Sequence, residues 1–214
     1  MLVVLLFPGW SGNSSRQNFS LLRKHLEMIP DLRVETIDYL DKEGRFTKLK
    51  TRKSVLEYAD KAEDNLNRII ENYPEGTKIM AIGHSLGAVI LRILALRGYA
   101  FEEIIFAGGP FHGFSRKFIL LLPLAVILRI KLFFELCPGR DSSKISMLHI
   151  SGYYIGSRDD EVVPLESAIP KGKEKIIILD HCGHNMFPQR DEEFENSAIP
   201  IVVDIAREVC EKTQ

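Results

Sequence analysis

A seven-residue stretch, Ala81-Ile82-Gly83-His84-Ser85-Leu86-Gly87, constrains this chain more than any other. It ends an apolar run from Lys78 to Ile82, passes through G-x-S-x-G and opens into Ala88-Val89-Ile90-Leu91-Arg92-Ile93-Leu94-Ala95-Leu96, which has the composition of a buried helix. A strand that reverses into a helix within so few residues would clash with side chains at the two flanking positions, and both are glycine. A serine hydroxyl is a poor nucleophile at neutral pH. It needs a rigid, exposed turn of this kind, with a base and oxyanion donors beside it. Ser85 is therefore the candidate nucleophile, and a plain Gly/Ser turn between core elements is the alternative that the bare motif leaves open.

Strand and helix patterns alternate along the rest of the chain, which predicts an α/β architecture. The first strand is Met1 to Phe7, a continuous apolar run. Helix is expected over Asn18 to Met28 and strand over Arg33 to Ile37. From Ser54, the residues Val55, Ala59, Ala62, Leu66, Ile69 and Tyr73 fall at steps of three and four, the period of an amphipathic helix on a sheet, and Pro74-Glu75-Gly76 stops it. Further strands are expected over Glu103 to Ala107, Met147 to Tyr154 and Lys175 to Leu179, with a closing helix from about Ser197 to Glu211. At 214 residues with 45% hydrophobic content, the chain fits one domain, 1–214, with a sizeable core.

Lys+Arg 28 against Asp+Glu 29 balance to a net charge of -1 with no long single-sign run, so nothing predicts nucleic-acid binding. Cys137, Cys182 and Cys210 are odd in number and widely spaced, which speaks against a disulfide framework or a C-x-x-C metal site and for a reduced, cytoplasmic setting. The apolar N-terminus lacks a basic flank and runs into Pro8-Gly9, so a core strand is expected there and not a signal peptide.

The loops after the expected strands carry the remaining polar candidates. Phe7-Pro8-Gly9-Trp10-Ser11-Gly12-Asn13-Ser14-Ser15 follows the first strand, and in a parallel sheet ligands bind at the carboxyl ends of strands. Its main-chain N–H groups are candidate oxyanion donors; an ordinary glycine-bearing turn is the alternative. Gly156-Ser157-Arg158-Asp159-Asp160 offers two carboxylates placed to orient an imidazole, or else a solvated acidic turn. Asp180-His181-Cys182-Gly183-His184 follows the last strand, and His112 lies in an earlier loop. The most apolar run, Phe118 to Leu128, spans 11 residues and contains Pro123, which is too short for a membrane-spanning helix. A core helix and an inserted cap facing a lipid-like ligand are both compatible with it.

With Ser85, an acid near 160 and His184 in that order, the chain resembles a compact α/β-hydrolase, and more narrowly a small lipase or carboxylesterase. The resemblance covers nearly the whole chain. It implies a reduced, mostly parallel sheet of about six strands with helices on both faces and a short helical cap, inserted at about 115–143. Phe7-Pro8-Gly9-Trp10 stands where lipases carry His-Gly-x after a strand, with Pro8 in place of the histidine. The implied oxyanion donors are the N–H groups of Trp10 and Leu86. Gly108-Gly109-Pro110-Phe111-His112-Gly113 is similar to the structural lipase stretch GTPHxGS, and Leu136-Cys137-Pro138-Gly139-Arg140-Asp141-Ser142 is similar to L-x-P-G-S.

The family acid motif G-x-x-D-x-V-V-P fits imperfectly. Counting back from Pro164 gives Asp160, and counting forward from Gly156 gives Asp159. Asp160 is preferred because the turn into Val162-Val163-Pro164 fixes the carboxylate's direction, which leaves Asp159 as a solvated neighbour. His184 is preferred over His181 because it follows Gly183 in the family's G-H pattern. The implied activity is hydrolysis of carboxylic esters through an acyl-enzyme, without metal or organic cofactor. The expected substrate is a small-molecule or lipid-like acyl ester, with peripheral membrane contact through the cap. A thioester donor, an alcohol acceptor, or a catalytically silent domain that binds a partner or membrane surface remain open readings of the same residues.

Overall fold

The structure is a computed structural model that describes residues 1–10, 19–40, 53–121, 130–137 and 150–212. The apolar run after Met1 forms β1 (Leu2–Phe7), and all six of its residues are buried, as a strand covered on both faces requires. It lies between β2 (Leu32–Thr36) and β3 (Lys78–His84), parallel to both. Beyond β3 come β4 (Glu103–Ala107), β5 (Tyr153–Ser157) and β6 (Lys175–Leu179), each parallel to its neighbour. The described residues thus form one six-stranded sheet of order β2-β1-β3-β4-β5-β6, wholly parallel where the sequence predicted mostly parallel.

Successive residues of β1 feed two cores. Leu2, Val4 and Leu6 pack with α1 (Ser20–Leu26) and α6 (Ile199–Lys212), while Val3, Leu5 and Phe7 pack with α2 (Val55–Ile70) and α3 (Leu86–Leu96). Ser54 starts α2 where the periodicity placed it: its hydroxyl accepts from the Glu57 N–H, and the Glu57 carboxylate accepts from the Ser54 N–H.

The fifth strand differs from expectation. The sequence placed it at Met147 to Tyr154 and gave Gly156 and Ser157 to a loop; of that range, 147–149 lie outside the described residues. The strand instead begins at Tyr153 and runs through Ser157, because Gly156 and Ser157 continue the parallel pairing with Ile178 and Leu179 of β6. Gly156 also passes beneath Leu165 and Ile169, and a Cβ there would lie 2.6 Å from the Leu165 Cδ1. The glycine read as a loop signal is an inward strand position under the short α5 helix (Leu165–Ala168).

Of the expected cap, residues 122–129 and 138–143 lie outside the described residues, as do Ser11–Ser15 of the first loop and the Pro138–Ser142 part of the L-x-P-G-S-like stretch. What is described is a 3-10 turn (Arg116–Leu121) and the helix α4 (Lys131–Glu135). Phe114, Phe118 and Phe133 form an aromatic group, and Ile130, Phe133 and Cys137 pack with Trp10 at the carboxyl end of the sheet. The Ser115 N–H donates to the Val162 carbonyl, which ties this segment to the loop after β5. No helix among the described residues is long and apolar enough to cross a membrane.

Candidate functional site

The strand order reverses between β1 and β3: β2 lies on one side of β1, and the chain returns to place β3 on the other. Such a switch point leaves a crevice at the carboxyl ends of the two strands. Here β1 ends in Pro8-Gly9-Trp10 and β3 ends in His84-Ser85.

Ser85 has φ 53° and ψ -120°, a left-handed backbone that costs a non-glycine residue about 1–3 kcal/mol. The surroundings enforce it. A Cβ on Gly83 would lie 2.7 Å from the Ala88 Cα, and one on Gly87 would lie 2.0 Å from the Phe7 carbonyl oxygen, so α3 can approach the sheet only with glycine at both places. The Ser85 N–H donates to the Ala107 carbonyl at 2.9 Å, which extends the β3–β4 ladder through the turn. That bond uses the Ser85 amide and leaves the Leu86 N–H as the first amide of α3, a position with no intrahelical acceptor.

The other two side chains arrive from β5 and β6. The His184 Nε2 lies 3.0 Å from the Ser85 Oγ, and its Nδ1 lies 2.8 Å from the Asp160 Oδ2. The second Asp160 oxygen accepts from the N–H groups of Val162 and Val163 at 2.8 and 2.9 Å. The turn into Val162-Val163-Pro164 therefore aims this carboxylate. The Asp160 side chain is 0% exposed and that of His184 24%, so the group opens to solvent at the imidazole. Because a carboxylate only accepts, Nδ1 carries the proton and the Nε2 lone pair faces the serine.

The structure separates the alternatives. Asp159 is exposed as expected, but it is not merely solvated: its Oδ1 accepts from the Ser157 hydroxyl and from the Gly183 N–H at 3.0 Å, and these two donors lower its pKa. His181 is exposed, and the His112 N–H donates to the Ser167 Oγ in a separate loop contact. Burial, with Asp159 nearby, pushes the Cys182 thiol up to about 11, which keeps it protonated beside the histidine.

The loop after β1 reaches the serine. A Cβ on Gly9 would lie 3.0 Å from the Ser85 Cβ, so Gly9 borders the serine and Trp10 follows it in the chain. The buried Tyr39 hydroxyl donates to the Pro8 carbonyl and fixes that peptide. Two residues that the sequence reading passed over therefore belong to the site's surroundings, Tyr39 and His84. His84 is the variable position of G-x-S-x-G, and its adjacency to Ser85 was the available signal. Its Nε2 lies 2.9 Å from the His184 carbonyl oxygen. Burial and the neighbouring His184 hold its pKa at about 3.

No family model and no curated protein matches the chain. Among solved structures it is similar to phospholipase PlaB from Legionella pneumophila, with TM-score 0.71 at 12% identity, over 99% of this chain and 62% of that one. It is also similar to an esterase (EaEST) from Exiguobacterium antarcticum, with TM-score 0.62 at 12% identity, over 97% of this chain and 92% of that one. A lipase-esterase related protein from Clostridium acetobutylicum gives TM-score 0.58 at 18% identity, over 97% and 94%. The chain thus spans just under two thirds of the length of PlaB and nearly all of the other two.

Proposed function

We propose that this chain, which has the α/β-hydrolase fold, hydrolyses carboxylic esters with Ser85 as nucleophile, His184 as base and Asp160 as the acid that orients it. The observation that carries this reading is the continuous contact from the Asp160 Oδ2 through the two nitrogens of His184 to a serine held on a strained turn. The His184 Nε2 takes the Ser85 proton as Oγ attacks the ester carbonyl, and the imidazolium returns that proton to the departing alkoxide. Water, deprotonated by the same nitrogen, then cleaves the acyl-serine, releasing the acid and regenerating the hydroxyl. The carbonyl oxygen, negative in each tetrahedral intermediate, is held by the N–H groups of Trp10 and Leu86. Each such donor contributes about 2.7–4 kcal/mol in comparable sites.

The apolar group of Ile130, Phe133 and Cys137 beside Trp10 supports an apolar acyl chain as the substrate's other half. It favours the capped reading of the segment at about 115–143 within a single domain. Ile119 and Leu120 are exposed next to Arg116 and Lys117, which supports peripheral contact with a lipid surface. A cytoplasmic location belongs to the same proposal, with all three cysteines as free thiols.

The test is turnover of p-nitrophenyl esters by wild type and Ser85→Ala. Hydrolysis by the first and none by the second is expected. A folded wild-type protein inert toward every chain length would overturn the proposal in favour of a silent binding domain.

A further inference from the structure

His184 sits between β6 and α6, in a segment with no regular secondary structure from Asp180 to Phe187. A base on such a segment holds its ring within reach of a serine only if something outside fixes its main chain. Two side chains do so. The His184 carbonyl can only accept, so the contact at 2.9 Å is a hydrogen bond donated by the His84 Nε2–H. The His84 ring is itself wedged, 5.2 Å from the His184 ring and edge-on to Phe187 at 5.6 Å. One residue earlier, the Gly183 N–H donates to the Asp159 Oδ1 at 3.0 Å, and the Ser157 hydroxyl steadies that carboxylate. The two bonds secure the amide at the start and the carbonyl at the end of the Gly183–His184 unit, one from the end of β3 and the other from the loop after β5.

We propose that His84 and Asp159 are positioning residues that clamp the main chain of His184, so that its ring spans Asp160 and Ser85. This rests on the hydrolytic reading above. His84 can serve in this way because it stays neutral: a second imidazolium beside His184 would oppose the charge that forms there in each half-reaction. Neither residue touches the reacting atoms. A base displaced by about 1 Å commonly loses on the order of 100-fold in rate.

The experiment compares His84→Leu, which removes the donor, with His84→Gln, whose amide nitrogen can donate from about the same place, and Asp159→Ala with Asp159→Asn, which keeps an acceptor oxygen. Each is measured for kcat and KM on a p-nitrophenyl ester and for hydrogen exchange of the 181–187 segment. His84→Leu and Asp159→Ala are expected to lose about 10- to 100-fold in kcat with KM within about twofold, and to exchange faster in that segment. The Gln and Asn variants are expected to recover both. Wild-type kcat and exchange in His84→Leu, or a loss that Gln does not recover, would overturn the clamp. A wild-type protein without turnover would count against the hydrolase reading alone, since unchanged or faster exchange in the variants still decides the clamp.

Discussion

Replacing Asp160 with asparagine separates what the carboxylate does for the fold from what it does for the chemistry. The Oδ1 accepts two main-chain N–H groups, from Val162 and Val163, and the Oδ2 accepts from the His184 Nδ1. Asparagine has one oxygen, and the two fixed N–H donors hold it. Its amide nitrogen is then forced to face the histidine. Nδ1 must turn from donor to acceptor, the ring proton moves to Nε2, and the lone pair that should take the Ser85 proton is gone. In a serine protease the equivalent change lowers kcat about 10⁴-fold, which corresponds to about 5.4 kcal/mol of barrier. The fold should lose little, since both main-chain bonds survive. Asp160→Ala would instead orphan both N–H groups, at about 1–3 kcal/mol each. The assay is kcat on a soluble p-nitrophenyl ester together with a thermal melt for each variant. Asp160→Asn should be folded and almost inactive, and Asp160→Ala inactive with a clearly lower Tm. Asp159→Asn should stay within about threefold of wild type, because it keeps an acceptor for Gly183. A folded Asp160→Asn enzyme with more than about a tenth of wild-type kcat would refute the reasoning, as would an Asp159→Asn enzyme that is the crippled one.

The pKa of His84, held at about 3 against an ordinary 6.5, makes the folded state exclude a proton that the unfolded chain takes up. Stability should therefore be complete above about pH 6.5 and fall as the pH drops toward about 3, by up to about 1.4 kcal/mol per pH unit. His84→Gln should flatten that acid limb, and melts that run parallel for the two proteins would contradict the assignment. For the cap, each methylene added to the acyl chain should raise kcat/KM by about fourfold until the pocket is full, from about 0.8 kcal/mol per buried CH₂. Ile130→Asp should abolish that gradient. A series flat from acetate upward would remove the pocket from the cap.

The sequence was most informative where one physical demand dominates. The unbroken apolar run of β1 required a strand buried on both faces, and β1 lies inside the sheet between β2 and β3, with all six residues buried. The paired glycines around Ser85 required close approach of helix and strand, and the distances at Gly83 and Gly87 are of that kind. Where several interactions compete, the residues did not decide. Lys175 to Leu179 is as apolar as a central strand, yet β6 is an edge strand among the described residues, with Ile176 and Ile178 more than 40% exposed. Edge position depends on the crossover out of β5, whose helix α5 has only four residues. Spacing offered Asp159 and Asp160 almost equally. What distinguishes them is the pair of N–H donors that a turn directs at one and not the other. His84 looked like a variable position because its partner is a main-chain carbonyl 100 residues away. Arg92, in the midst of a buried helix, is fully enclosed with its guanidinium 5.0 Å from the centre of the Phe111 ring, a contact that local composition could not foretell.

The central claim is that Ser85 is the residue that takes up the acyl group. A fluorophosphonate reacts with an activated serine and mimics the tetrahedral intermediate, so mass spectrometry of the peptides from a treated sample names the nucleophile directly. One adduct per chain is expected, on Ser85, with ester turnover lost in step with labelling and no adduct in Ser85→Ala or at comparable rate in Asp160→Asn. An adduct on another residue, or an unlabelled Ser85 in protein that still hydrolyses esters, would contradict the claim.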